Sequence, residues 1–340
     1  MRYCNFVLYT SSQDLFSEAK SRERRGSIMR REDMIRIFED TMLLCNTNES
    51  LKNKINYSMN HNRVISDENE YDIFKNLIHG HETGKEAKII VSKKRSFEAA
   101  SEYKGKHISV LNFASATNPG GGVTKGASAQ EECLCRISTL YKCISASEIT
   151  EAFHKKHRYA LNTGKMNSLY NDDCIQTCDV TVFKSDTAKP VPLSEKDWFD
   201  VDVISCAAPN LRYMSQHDKN WKKNVTDKKL FDIYINHIYK KRINRVLDIA
   251  SCAKSDVIIL GAFGCGAFKN PPDLVAQAFY EVIYDWDYKK YFKRIVFAIK
   301  STNMKCRNIE IFSKYFIIKS VSEECLIGDK QYFKQWQKTN

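Results

Sequence analysis

The chain has 340 residues, is 43% hydrophobic and carries a formal net charge of +12. That balance excludes wholesale disorder, leaves room for one large or two small domains, and contains no apolar run of the roughly eighteen residues that a membrane span requires. The positive charge points to an anionic partner. Lys and Arg are nevertheless spread along the chain in short groups such as Lys93-Lys94-Arg95 and Lys240-Lys241-Arg242, so a dedicated nucleic-acid surface and an ordinary basic surface fit equally well.

Residues 1–15 hold one basic residue, Arg2, and a short apolar run at 6–9, a pattern unlike a secretion signal. Residues 1–26 show no clear period. Ser27 is a reasonable N-cap for a helix to about Leu44 with Ile28, Ile35, Phe38 and Met42 on its apolar side. Residues 45–85 are polar and Asn-rich and read as loop with a short helix near 71–78. From Lys88 the pattern alternates. Strands are predicted at 88–92, 108–114, 179–183, 201–206, 257–260 and 294–299, and helices at 130–144, 226–253, 272–285 and 307–316. Segments 184–198 and 207–225 read as long loops, which in a compact domain are often functional.

This order predicts an α/β fold, a mixed sheet flanked by helices, with an N-terminal helical extension at 1–87, a catalytic domain at 88–316 and a tail at 317–340. The twelve cysteines include no CxxC pair, and Cys133 and Cys135 are two apart while Cys174 and Cys178 are four apart. Such spacing suits neither zinc nor a disulfide framework and is expected of reduced thiols in a cytoplasmic setting. The eight histidines form no metal spacing with acids.

Two glycine-rich stretches carry the chemistry. The first leaves the strand at 108–114 and contains Gly120, Gly121 and Gly122, followed after seven residues by Gln130, Glu131 and Glu132. The second leaves the strand at 257–260 and runs Gly261-Ala262-Phe263-Gly264-Cys265-Gly266-Ala267-Phe268-Lys269-Asn270 before Pro271-Pro272 open a helix. Bare backbone lets a ligand approach closely, and amides ahead of a helix form a nest for anions. Taken alone, GGG is common in turns and paired glutamates are ordinary at a helix start, where the helix dipole favours acids. Cys265 between two glycines could be read as a nucleophile, but no His is near in sequence and a structural role is expected.

In combination, Val110-Leu111-Asn112-Phe113-Ala114-Ser115-Ala116-Thr117-Asn118-Pro119-Gly120-Gly121-Gly122 with Gln130-Glu131-Glu132 resembles the signature of poly(ADP-ribose) glycohydrolases of the bacterial or microbial type, which are built on a macrodomain-like fold. The stretch 260–268, the stretch 203–210 and the helix from about Arg30 to Thr41 are similar to that family too, so the resemblance runs from about 27 to 316. It implies that Glu132 is the catalytic glutamate and that Glu131 hydrogen-bonds ribose hydroxyls. By the same resemblance Asn118, Gly120, Gly121, Gly122 and Gln130 lie at the distal ADP-ribose. Gly261, Phe263, Gly264, Cys265, Gly266 and Ala267 would wrap the diphosphate, and Phe268 would pack on the distal ribose. Cleavage of a ribose–ribose bond passes through an oxocarbenium-like state, so a carboxyl group must protonate the leaving oxygen and then activate water; like-charge repulsion from Glu131 and burial would raise the acid's pKa. This chemistry needs neither a metal nor a cofactor.

The sequence departs from the family pattern at Ser115, where animal members have Asn, and at Phe263, where Trp is frequent. No adenine clasp is assigned; Tyr213 is the weak candidate. The expected partners are poly(ADP-ribose) or an ADP-ribosylated protein, with ADP-ribose as product. A macrodomain reader that binds without cleaving, and a hydrolase for single ADP-ribose units, are the alternatives. The paired glutamates argue against the reader.

Overall fold

The computed structural model describes residues 29–66, 82–217, 227–300 and 306–318. In chain order the elements are α1 (Arg31–Thr47), α2 (Glu49–Asn60), β1 (Arg63–Ile65), β2 (Lys88–Ser92), α3 (Ser96–Ala100), β3 (Ile108–Phe113), α4 (Gln130–Cys135), α5 (Leu140–Ile144) and α6 (Lys156–Asn162). They continue with β4 (Cys174–Val182), β5 (Phe199–Cys206), α7 (Leu211–His217), α8 (Lys228–Cys252), β6 (Val257–Leu260), α9 (Pro272–Tyr280), β7 (Arg294–Ala298) and α10 (Arg307–Ser313). Three π turns, Thr150–Lys155, Glu281–Asp285 and Lys314–Ile318, lead into α6 and extend α9 and α10.

The seven strands form one mixed sheet in the order β1-β4-β5-β3-β6-β7-β2. β5, β3, β6, β7 and β2 are parallel, and β4 and β1 add antiparallel. The central strands are near-continuous apolar runs because both faces are covered. Period-two alternation then divides them. Leu111, Ile204, Ile258 and Phe297 pack against α8, α9 and α10, while Val110, Val203, Ile259 and Val296 pack with Phe97, Leu134 and Leu140. The long α8 is capped by Asp227, whose side chain accepts from Lys229 and Leu230 amides, and it buries Ile235, Tyr239, Ile243, Val246 and Ile249 in the first of these clusters.

Six of the seven strands overlap expected ones, although β4 begins at Cys174 rather than at 179. The helix expected over 130–144 is two helices, because residues between them pair with the sheet: Ser138 bridges Val182 and the Thr139 amide donates to the Thr181 carbonyl. The polar segment 45–85 holds α2 and the edge strand β1. α2 buries only Leu51, Ile55 and Ser58, too sparse a stripe to stand out among Asn and Lys. β1 belongs to the sheet, so the span expected as an extension contributes a strand to it. The expected Ser27 cap and the helix near 71–78 lie outside the described residues, as do residues 319–340. Among the described residues no helix is long and apolar enough to cross a membrane.

Candidate active site

Parallel neighbours β3 and β6 point their carboxyl ends the same way, so the two glycine-rich loops face each other across one cleft, the usual position for ligands in α/β sheets. The cleft has a volume of about 840 Å³, enough for a nucleotide-sized ligand. α4 opens against it with Gln130, Glu131 and Glu132 in its first turn.

Gln130 fixes that helix. Its Oε1 accepts from the Phe113 amide at 2.8 Å, and its Nε2 donates to the Leu111 carbonyl at 2.8 Å and to Ser96 Oγ at 3.0 Å. These bonds tie α4 to the end of β3 and to the start of α3, so Gln130 acts by positioning the two residues that follow. Those residues are not surface acids: Glu131 is 3% and Glu132 7% exposed. Glu131 Oε2 accepts from the Ser115 amide at 2.8 Å, with the Asn112 amide nitrogen 3.5 Å from Oε1. Burial raises the Glu131 carboxyl to about 8, opposed by the Ser115 amide and reinforced by the Glu132 charge. Burial therefore outweighs the like-charge repulsion expected from the sequence, and the upward shift falls on Glu131.

Glu132 Oε1 accepts from the Gly122 amide at 2.9 Å, and its Oε2 is buried with no hydrogen-bond partner. The glycine here is a steric requirement. Gly121 has φ +58°, and a Cβ on it would lie 2.6 Å from Glu132 Oε1 and 3.1 Å from Glu131 Oε2. Behind the loop, buried His154 in the π turn faces the Ala116 carbonyl at 3.3 Å, and Arg158 donates to the Thr117 carbonyl at 2.6 Å. Burial lowers the His154 imidazole to about 4, so it is a neutral support at physiological pH.

The second loop turns tightly. Gly264 has φ +74°, and a Cβ there would meet Ala208, Tyr239 and Asn270 within 2.7 Å. Asn270 Nδ2 donates to the Pro209 carbonyl at 2.7 Å and to the Gly264 carbonyl at 3.0 Å, while the Tyr239 hydroxyl donates to the Phe263 carbonyl at 3.0 Å. With its carbonyls held from behind, the loop leaves the amides of Gly264, Gly266, Ala267 and Phe268 without an acceptor among the described residues. Clustered free amides of this kind suit an anion.

Of the residues singled out from the sequence, Asn118, Gly121, Gly122, Gln130, Glu131, Glu132, Gly264, Gly266, Ala267 and Phe268 line the cleft together. Gly120, Gly261, Phe263 and Cys265 are not in its walls. Gly120 is packed under Tyr141, and Gly261 under the Ala298 carbonyl. Phe263 is fully buried, 5.5 Å from the Phe113 ring and edge-on to Tyr239. The Cys265 sulfur lies 3.7 Å from the Phe263 carbonyl, and burial pushes its thiol up to about 12. Tyr213 is exposed on α7 and outside the cleft walls. The sequence reading passed over Asn112, Asn270 and Tyr239, and also Arg95, Asp186 and Lys300, which line the end of the cleft nearest β2 and β7. Asn270 was within reach as the residue just before Pro271-Pro272. Asp186, distant in sequence from all of these, offered no signal.

The class of protein that emerges is a macrodomain-like α/β sheet whose cleft holds two buried carboxyl groups and an amide-lined loop. Residues 32–185 match the family model for the microbial-type PARG (poly(ADP-ribose) glycohydrolase) catalytic domain. The whole fold is similar to poly(ADP-ribose) glycohydrolase from Thermomonospora curvata, at a TM-score of 0.69 and 26% identity over 84% of this chain and 100% of that one. The same enzyme bound to the inhibitor ADP-HPD aligns at 0.67 and 26% over 83% and 99%. The Deinococcus radiodurans glycohydrolase in complex with ADP-ribose aligns at 0.63 and 26% over 78% and 97%. No curated protein matched in a sequence search. Over residues 32–185 the chain is thus similar to the microbial-type poly(ADP-ribose) glycohydrolase catalytic domain, and in fold to two bacterial glycohydrolases.

Proposed function

We propose that this cleft hydrolyses the ribose–ribose O-glycosidic bonds of poly(ADP-ribose) and releases ADP-ribose, with Glu132 moving the proton and Glu131 holding the distal ribose. The observation that carries the assignment is the asymmetry of the pair. Glu131 is tied down by the Ser115 amide, whereas Glu132 is held through Oε1 by Gly122 and keeps Oε2 unpartnered. A free, buried carboxyl oxygen is what a group needs if it is to meet a leaving oxygen and then a water.

The distal diphosphate fits the free amides of Gly264, Gly266, Ala267 and Phe268, which provide donors without a counter-charge. Phe268, half-buried beside Tyr170, offers an apolar wall to the sugar. As the glycosidic bond lengthens, the ribose gains oxocarbenium character and the leaving oxygen takes a proton from the carboxyl pair. Burial raises Glu131 to about 8, so near neutral pH a proton is held at this end of the cleft. Once ionised, Glu132 can remove a proton from the attacking water. The net charge of +12 steers an anionic polymer toward the protein.

The test is ADP-ribose release from poly(ADP-ribose) by the wild type and Glu132→Gln, with ADP-ribose binding measured on both. Loss of about 10²-fold or more in release with binding retained is expected. Near-normal turnover by Glu132→Gln would remove it from this role. Binding without release by the wild type would make the protein a reader, and release confined to singly modified protein would make it a mono-ADP-ribosyl hydrolase.

A further inference from the structure

We propose that Cys133 is an oxidation-sensitive thiol in the cleft wall, converted by hydroperoxides to a sulfenic acid that Arg136 and Arg95 hold and that obstructs substrate. The consequence for activity rests on the proposed glycohydrolase reaction; the oxidation itself does not.

Cys133 follows Glu132 on α4, lines the cleft and is only partly buried. Its sulfur accepts from Arg95 Nη1 at 3.6 Å and from Arg136 Nη1 at 3.8 Å, and the thiol faces the Ser128 carbonyl at 3.7 Å. Lys300 lies close enough to feel the same sulfur. Asp186 stands 3.9 Å from Arg95 Nε and is the acid on that side; Glu131 and Glu132 are the others on α4.

Arg136 supplies the independent observation. Its side chain belongs to a residue only 3% exposed, yet Nε and Nη2 have no hydrogen-bond partner, and it forms no ion pair among the described residues. Buried guanidiniums are ordinarily paired, and one left short of acceptors is costly. Sulfur is a weak acceptor. An oxygen added to Cys133 would place a stronger acceptor beside a guanidinium that lacks one. The contrast with Cys265 is instructive. That cysteine is also beside the cleft, but its thiol is pushed up to about 12 by burial and touches no cation that the structure resolves. Cys135 and Cys143 are fully buried.

The step balances without further reagents. The Cys133 sulfur attacks one oxygen of hydrogen peroxide and the O–O bond breaks. The departing hydroxide takes the thiol proton and leaves as water, so sulfur loses two electrons and the peroxide gains them. The product is reversible by thiol reductants. The new oxygen lies in the cleft wall next to Glu132.

The experiment uses the full chain. Protein is exposed to limiting hydrogen peroxide with dimedone present, adducts are mapped by peptide mass spectrometry, and ADP-ribose release is followed in parallel without dimedone. The expected result is an adduct on Cys133 ahead of Cys265, loss of activity in proportion to oxidation, recovery with dithiothreitol, and protection by ADP-ribose. Cys133→Ser should resist peroxide, and Arg136→Met should slow adduct formation. If Arg136→Met does not fold, the wild-type map and Cys133→Ser decide. Labelling of Cys133 no faster than Cys265, or equally rapid inactivation of Cys133→Ser, overturns the proposal. A wild type that labels at Cys133 but never releases ADP-ribose would instead sink the reading of the reaction, leaving the thiol assignment to be judged by ADP-ribose binding.

Discussion

Gly121→Ala separates backbone strain from displacement of the buried carboxyl pair. At φ +58° an Ala residue is in the left-handed region, at a cost of about 1–2 kcal/mol. Its Cβ would also lie 2.6 Å from Glu132 Oε1, whereas ordinary contact begins at 3.4 Å, so the carboxyl must retreat by 3.4 − 2.6 = 0.8 Å. Misplacing a reacting group by roughly 1 Å costs on the order of 10²-fold in rate. Gly105 provides the control: its φ is +81°, and a Cβ there meets nothing within 4 Å. Gly105→Ala should therefore bear the backbone cost alone. Denaturant melts should shift in both variants, further in Gly121→Ala, while kcat for ADP-ribose release should fall about 100-fold only in Gly121→Ala. If folded Gly121→Ala retained the kcat of Gly105→Ala, the contact between this loop and Glu132 would not govern catalysis.

Other substitutions probe the supports. Glu131 has a folded pKa of about 8, above its ordinary 4.5, so its stabilising contribution is complete below about 4.5 and is lost as pH rises through 8. Glu131→Gln should flatten the fall in urea stability between pH 5 and 9, and an unchanged slope would contradict the assigned burial. His154 runs the opposite way: its folded pKa of about 4 lies below the ordinary 6.5, so stability is lost as pH falls from 6.5 toward 4, and His154→Gln should reduce that loss in acid titrations followed by fluorescence. Asn270→Ala strands the buried Pro209 carbonyl and leaves the Gly264 carbonyl with only the backbone amide of residue 270. It should cost about 2 kcal/mol and weaken ADP-ribose binding by calorimetry, and full affinity would show that the loop holds its shape without this clasp.

What the sequence made legible was local. β3 and β6 are short apolar runs ended by glycine, and both loops and the Gln130-Glu131-Glu132 start of α4 could be placed from spacing alone. What escaped depends on contacts far apart in sequence. β1 has three residues, one of them exposed, and is a strand only because it pairs with β4. The break in α4–α5 arises from pairing with β4, which no helical period reveals. The family resemblance put Phe263 at the diphosphate, but tertiary packing turns its ring into the core while the loop backbone faces the cleft. Gln130 was legible as a site residue, although its amide group serves the scaffold.

α4 has six residues, too few to be stable or oriented on its own, so its direction is imposed at both ends. Gln130 fixes the start. At the other end the Phe183 and Lys184 amides donate to the Ile137 carbonyl. The Lys184 ammonium, from a residue 1% exposed, reaches back to Thr41 Oγ1 at 2.7 Å and Asp40 at 2.6 Å on α1, and the Thr41 hydroxyl donates in turn to the Arg136 carbonyl. The circuit makes α1 part of the support for Glu131 and Glu132, in keeping with a family match that begins at residue 32. Removing everything before the strand at 88 would take away α1 and β1, one of the two anchors of the helix that carries the carboxyl pair along with the edge of its sheet. By this geometry the smallest unit able to hold the site includes the helix at 31–47.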